Sequence, residues 1–475
     1  MTAVHTEEKS RLEELGYHQG LRRRLHVWHV VGLSLADVSP TMAVLFLTAG
    51  VFLIGGTFAV GANMLLAVVV VLICLCLAEL GSMYPIAGGM YSLVRNVLPA
   101  PVAWITMFNY LLQGIVIPAS IAIGIAQFLN DLLGTSIAEK PFALVLLLAA
   151  LAIALVRVEI GAWVTITMVI VELVVLGIVT VAAFVHPEQS LGDVIFHPQV
   201  LEGDTLKAIT FAAILATLAP AFNVINGYDA TLGFTEELIG GERNIAKAVV
   251  TAGVLASLFI LVPLIAAVVA APNLVDFFNS ESPIVYSVEQ SFGDGARQVV
   301  DVGASIALFN ANLALIMYFG RGFYTTGRDA VWPPFVSTRL AQLNRFSVPA
   351  VGILACVVPA CVLIFASALD FLIIFAGTII AAVYLTIGIA ALWSRIGQPD
   401  VRRPYRLPLW PVPPLIVIAF TGIALAKQES KYLVAEVVLI GCALVLWLLS
   451  RMWSPAARRE LAAEGVTDTA VHGET

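Results

Sequence analysis

Along this chain, long apolar stretches alternate with short polar ones, and the apolar stretches are continuous. Leu65 to Leu77 and Phe142 to Leu155 carry no polar position in every second place. Membrane-barrel strands would alternate over about 10 residues, so the pattern predicts helices. A helix crosses the hydrocarbon with about 20 apolar residues. On that measure twelve spans are expected: 27–50, 54–83, 90–130, 141–157, 159–185, 207–238, 244–271, 297–326, 348–368, 371–394, 408–427 and 432–453. The third, sixth and eighth are long enough to be tilted or broken, or to run out of the lipid. A stretch from Pro283 to Phe292 is amphipathic, as a helix on the membrane surface would be. The remaining organisation is simple: a tail over 1–26, one membrane domain over 27–453 and a polar tail over 454–475.

Composition agrees. Of 475 residues, 60% are hydrophobic and 12% charged, against about 25% charged in soluble domains. Such a chain cannot cover itself with polar surface, whereas lipid solvates the excess once backbone groups are paired inside helices. Charge placement gives the orientation. With the N-terminus inside, 20 of the 25 Lys and Arg fall on the cytoplasmic side; Lys140, Lys207, Arg297, Lys427 and Lys431 fall outside. That is the positive-inside asymmetry, and it predicts two cytoplasmic termini in a plasma membrane. The N-terminal residues lack the short apolar region of a cleaved signal. The net charge of −7 carries little orientation information.

Several chemistries are not encoded. No Gly-Lys dipeptide occurs, so no Walker A loop exists and no nucleotide is expected. There is no paired-His metal motif; seven His are scattered, with His26 and His29 at the mouth of the first span. Five cysteines, Cys74, Cys76, Cys356, Cys361 and Cys442, lie inside spans and read as small buried hydrophobes. The chain is expected to be no enzyme, to hold no cofactor or metal, and to bind no nucleic acid.

The informative positions are polar breaks inside two spans. The first contains Ser34, Asp37, Ser39, Pro40 and Thr41; the sixth contains Pro220, Phe222, Asn223, Asn226, Gly227, Tyr228, Asp229 and Thr231. Breaks free backbone donors and acceptors that must face protein or a water-filled cavity. A carboxylate at that depth costs at least about 2.5 kcal/mol and usually carries function. Corresponding breaks in two halves point to an inverted-repeat carrier, the bland alternative being two kinked helices. Glu172 stands alone in the middle of the fifth span, flanked by apolar residues, so its carboxyl must face the bundle.

Ala78-Glu79-Leu80 with Tyr84-Pro85, Ala87-Gly88-Gly89 and Tyr91 resembles the signature of the amino acid–polyamine–organocation (APC) superfamily. Gly227-Tyr228-Asp229 followed by Glu236-Glu237 and Arg243 to Ala248 resembles a second family segment, and Arg328-Asp329-Ala330 with Pro333 a third. Leu15 to Arg23 resembles the start of the amino acid/choline branch. The resemblance runs from residue 15 to about 450. It implies an all-α LeuT-type fold: inverted repeats over about 27–185 and 207–394, then two helices over 408–453, with substrate held between the first and sixth spans. The substrate-binding candidates are Asp37, Val38, Ser39, Thr41, Met42, Phe222, Asn226, Gly227, Tyr228 and Asp229.

One departure stands out. Val38-Ser39-Pro40-Thr41-Met42 has no Gly where many relatives bring bare backbone to the substrate carboxylate, and Pro40 removes one N–H. Amides of Thr41, Met42 and Ala43 remain for that task. Asp37 either attracts an amine or caps the broken helix. Phe222 and Tyr228 either cover the substrate or pack the core. Glu172, on the span where related carriers handle the driving ion, is the coupling candidate; its alternative is a neutral interhelix hydrogen bond. Ser305, Asn310 and Asn312 on the eighth span are available as polar contacts. Glu79, Glu236 and Glu237 sit at cytoplasmic helix ends, as gating residues or loop anchors. Asn109 and Gln113 share a helix face, lining the cavity or binding a neighbour.

The expectation is therefore a secondary active permease for amino acids or related amines in the lipid bilayer, with protons favoured over sodium as the coupling ion. A polyamine, choline or ethanolamine transporter or exchanger is the alternative. A passive channel and a transport-dead sensor are alternatives of other classes.

Overall fold

The computed structural model describes residues 25–453 except 87, 157, 281 and 347, and of 158–166 the backbone alone. The expected tails and the motif from Leu15 to Arg23 lie outside the described residues, apart from Leu25 and His26.

The first span is two helical pieces. Helix α1 (Val27–Val38) stops at Ser39, whose φ of +41° is left-handed. Pro40 explains the stop: its ring disfavours helical geometry in the residue before it, and its own missing N–H suits the first turn of a new helix. The helix resumes over Pro40–Met42, passes a π turn at Ala43–Leu47 and continues as α2 (Thr48–Gly55). The second span is α3 (Phe58–Met83).

The expected single span 90–130 is instead α4 (Gly89–Val97) and α5 (Ala100–Leu133). Leu98 is extended, ahead of Pro99, which disfavours a helical residue before it. Then come α6 (Glu139–Ala154) and α7 (Val158–Val185).

The loop that follows contains a short helix, α8 (Leu191–Phe196), and an antiparallel hairpin, β1 (Gln199–Glu202) with β2 (Thr205–Ala208), pairing Gln199 with Ala208 and Glu202 with Thr205. The all-α expectation is corrected to this extent. The hairpin docks on the C-terminal end of the first span, where the Thr57 N–H donates to Gln199 O at 2.8 Å.

The sixth span is α9 (Phe211–Val224), begun by a Thr210 cap that accepts from Ala213 N at 3.2 Å. It breaks at Ile225 to Gly227 and continues as a 3₁₀ helix, Tyr228–Glu237. Gly227 holds φ at +102°, and a Cβ there would lie 2.8 Å from Val38 N and 2.9 Å from Asp37 Oδ2. Only glycine takes that backbone freely at so close an approach.

Helix α10 (Glu242–Val269) follows, with α11 (Leu274–Asn279) and α12 (Pro283–Phe292) after it. The last has the expected bounds, but it does not simply lie on the surface. Its Ile284, Val285, Ser287 and Val288 are buried, and it packs on α13, α7 and α10. The rest is α13 (Asp294–Arg328), α14 (Pro334–Leu340), α15 (Ala350–Ala366), α16 (Leu369–Gly397), α17 (Val412–Ala426) and α18 (Ser430–Ser450).

Among the described residues, nine helical stretches are long and apolar enough to cross a membrane, and α15 and α17 are shorter apolar helices. The chain is a mostly helical multi-pass membrane protein. Helix α3 packs along α10, and α5 along α13 and α16. The break in the first span sits between α7, α10 and α13. Cys74, Cys76 and Cys356 are buried as expected, whereas Cys361 is half-buried and Cys442 is exposed on the outer face of α18.

Candidate functional site

The two breaks meet. Ser34 on α1 places its hydroxyl 3.1 Å from Gly227 O and 3.0 Å from Tyr228 O, which ties the first helix to the second break. Asp37 is 5% exposed, and its Oδ2 lies against Gly227. Its Oδ1 has no hydrogen-bond partner among the described residues. Asp229, also buried, accepts from the Tyr318 hydroxyl at 3.1 Å. The two aspartates are close enough to repel one another.

Aromatic rings surround them. Tyr228 stacks on Tyr384 with ring centres 5.9 Å apart, and the Tyr384 hydroxyl donates to Asn226 Oδ1 at 2.8 Å. Tyr318 meets Tyr110 edge to face at 6.2 Å. Tyr110, Tyr318 and Tyr384 all lie in electrostatic reach of both aspartates. Phe222 packs on Tyr384 and Phe420, so the core alternative describes it. Val38 and Met42 are likewise buried, with no polar role of their own side chains.

Glu172 occupies the other side of the first break. It is fully buried, and its Oε2 accepts from the Ser39 hydroxyl at 2.8 Å and from the Thr41 N–H at 3.4 Å. Thr41 Oγ1 donates to the Glu172 carbonyl at 3.0 Å. A carboxylate at the start of a helix is favoured by the unpaired N–H groups and the dipole there. Of Asp37's two readings, the cap is thus filled by Glu172, while Asp37 turns toward Gly227. Glu172 Oε1 has no partner among the described residues, and the unpartnered amide of Asn310 approaches this carboxylate. The other two candidates on α13 point elsewhere: Ser305 bonds to Asp301 O in its own helix, and Asn312 donates to Pro118 O at 3.4 Å.

The acids expected at the cytoplasmic helix ends are built differently. Glu79 receives Arg395 through two bonds at 2.9 and 2.7 Å, approaches Arg403 at 3.2 Å and accepts from Leu407 N at 2.7 Å. It thereby fastens the loop after α16 to the end of α3. Glu237 pairs with Arg321 at 3.3 Å, Glu236 with Arg328 at 3.8 Å, and Arg95 with Asp329. No basic side chain pairs with Asp37, Asp229 or Glu172 among the described residues.

The sequence reading did not single out Tyr110, Tyr318 or Tyr384, which lie in apolar stretches with no break or acid beside them. It also passed over Glu436 on α18, which is buried and faces Asn109 of α5 although its sequence neighbours Val434, Val437 and Val438 are exposed. A lone acid between valines, the same signal that marked Glu172, was there to find it. Asn109 also donates to Ile105 O at 3.2 Å in its own helix.

The family model described as “Amino acid permease” matches residues 25–448. A branched-chain amino acid permease, BcaP of Lactococcus lactis subsp. cremoris, is 24% identical over 428 residues, covering 84% of this chain and 87% of that protein. A methylthioribose transporter of Bacillus subtilis is 23% identical, covering 77% of this chain and 82% of its own length. The amino-acid permease BAT1 of Arabidopsis thaliana is 23% identical, with 71% of each chain covered.

Proposed function

The chain belongs to the amino acid permease family of the APC superfamily, a family of transporters and not of enzymes, and from that premise we propose a proton-coupled secondary active permease for amino acids or related amines. It works by alternating access in the plasma membrane, with twelve crossings, two inverted repeats and both termini in the cytoplasm.

The observation that carries the reading is the position of Glu172. Its carboxyl is buried and links α7 to the two hydrogen-bond donors at the break of the first span. A group that takes up a proton there changes the charge at the hinge between α1 and α2. Broken helices with polar groups at mid-depth are the recurrent design of carriers with inverted repeats. Substrate contacts are assigned to Asp37, Asn226, Gly227, Tyr228 and Asp229, with Ser39 and Thr41 on the Glu172 side. Glu79, Glu236 and Glu237 anchor the cytoplasmic helix ends and loops.

The test is uptake into proteoliposomes of a radiolabelled panel of amino acids and amines. Saturable accumulation driven by an inward proton gradient, and abolished by a protonophore, is the expected result. Accumulation driven by sodium alone removes the proton assignment. Conductance without saturation makes the protein a channel, and binding without flux makes it a sensor. Cysteines placed at Thr2 and Thr475 should resist an impermeant thiol reagent on intact cells; labelling of either overturns the orientation.

A further inference from the structure

An α-amino acid brings a carboxylate and an ammonium to its carrier, and the two breaks are unequally prepared for them. The place for a carboxylate is the helical start after Ser39. Pro40 has no N–H to offer, so the first backbone donor is Thr41 N, and it points at Glu172 Oε2. The Ser39 hydroxyl points at the same oxygen, at 2.8 Å. The protein's own carboxylate holds both donors. A substrate carboxylate entering there finds both donors already taken, with no basic side chain beside them among the described residues.

A cation would meet an unsatisfied acceptor instead. Asp37 Oδ1 is buried and unpartnered among the described residues, on a carboxyl whose Oδ2 lies against Gly227, two residues before Asp229. An acceptor left bare in the interior is expensive unless a donor arrives. The surroundings suit a positively charged donor. The Tyr318 hydroxyl reaches Asp229, Tyr110 meets Tyr318 edge to face, and Tyr228 stacks on Tyr384. Ring faces attract ammonium groups, so aromatic neighbours and two carboxylates favour one here.

Resting on the carrier reading, we infer that the site between Asp37 and Asp229 takes an organic cation that lacks a free carboxylate, because Glu172 occupies the donors at the break of the first span that would receive one. A primary amine or diamine meets both conditions; the corresponding α-amino acid meets one.

The experiment compares matched pairs on the purified full chain: isobutylamine with valine, tyramine with tyrosine, ethanolamine with serine, putrescine with ornithine. Binding is read by calorimetry and transport by uptake into proteoliposomes. In the pairs that bind, the amine is expected to bind at least about ten-fold more tightly than its parent. In Glu172→Ala the preference is expected to shrink, since the Ser39 hydroxyl and the Thr41 N–H are then free to receive a carboxylate. Parent amino acids that bind as tightly as their amines, or more tightly, overturn the inference and leave the carrier reading intact. An unchanged preference in a folded Glu172→Ala protein overturns the role given to Glu172. Failure of every compound to bind or move, with a protein that melts cooperatively, defeats the carrier reading as well.

Discussion

The acids at the ends of α3 and the sixth span and the acids at the two breaks are oppositely equipped. Glu79 is 1% exposed and holds two arginines and a backbone N–H. Glu236 and Glu237 have arginines of their own. Asp37, Asp229 and Glu172 have hydroxyls, one amide or nothing. A buried charge with good partners fixes geometry, and removing one partner strands the other. A buried acid without a counter-ion fixes little; its cost is borne for something that arrives from outside, a proton or a cationic substrate. The difference separates what holds the helices from what the helices hold.

The largest expected effect is at Glu172. Glu172→Gln keeps the size and one acceptor for Ser39 and Thr41, but it cannot exchange a proton. Wild-type uptake should rise as external pH falls, because protons then drive entry. The variant should lose gradient-driven uptake and its pH dependence while retaining substrate binding. Its melting temperature in detergent should stay within a few degrees of wild type, since no charged partner is stranded. Retained, pH-dependent uptake in the variant would falsify the coupling role and leave Glu172 as an interhelix contact.

Glu79→Gln should behave in the opposite way. It leaves Arg395 and Arg403 facing a neutral amide, and breaking a buried pair from one side costs about 3 kcal/mol or more. The expected readout is a clear drop in melting temperature and in the yield of monodisperse protein. Substrate affinity per folded molecule should be close to wild type. A variant that melts normally but fails to transport would move Glu79 from the anchor set to the moving parts.

How far this division was legible in the sequence depends on what each partner looks like in a string. The breaks were visible because Pro and Gly disturb an apolar run, and Glu172 because acids are rare there. The boundaries of Pro283–Phe292 followed from its amphipathic period, while its burial did not, because the pattern does not tell lipid from a neighbouring helix. Strands β1 and β2 were hidden in a polar loop with no alternation to reveal them. Arg395 and Arg403 are more than 300 positions from Glu79, and charge alone does not match partners. The tyrosines were invisible for another reason: Tyr318 and Tyr384 sit in ordinary apolar helices, and only the packing of α13 and α16 brings them to the aspartates.

The smallest effect tests the comparison inside the mid-membrane set. Asp229 has a donor in Tyr318, whose hydroxyl also serves an amide, so Asp229→Asn should leave stability nearly unchanged. Asp37 has an oxygen with no partner. Removing a stranded charge relieves a standing cost, so Asp37→Asn should melt a few degrees higher than wild type, in the way that functional sites commonly trade stability for activity. The same variant should bind its cationic substrate about ten-fold more weakly, or about 1.4 kcal/mol, because the ammonium loses an ionic partner and keeps Asp229. Measured together by thermal melting and calorimetry, the two changes must have opposite signs if Asp37 is kept for a ligand. A lower melting temperature with unchanged affinity would place Asp37 beside Glu79, among the acids that hold the helices.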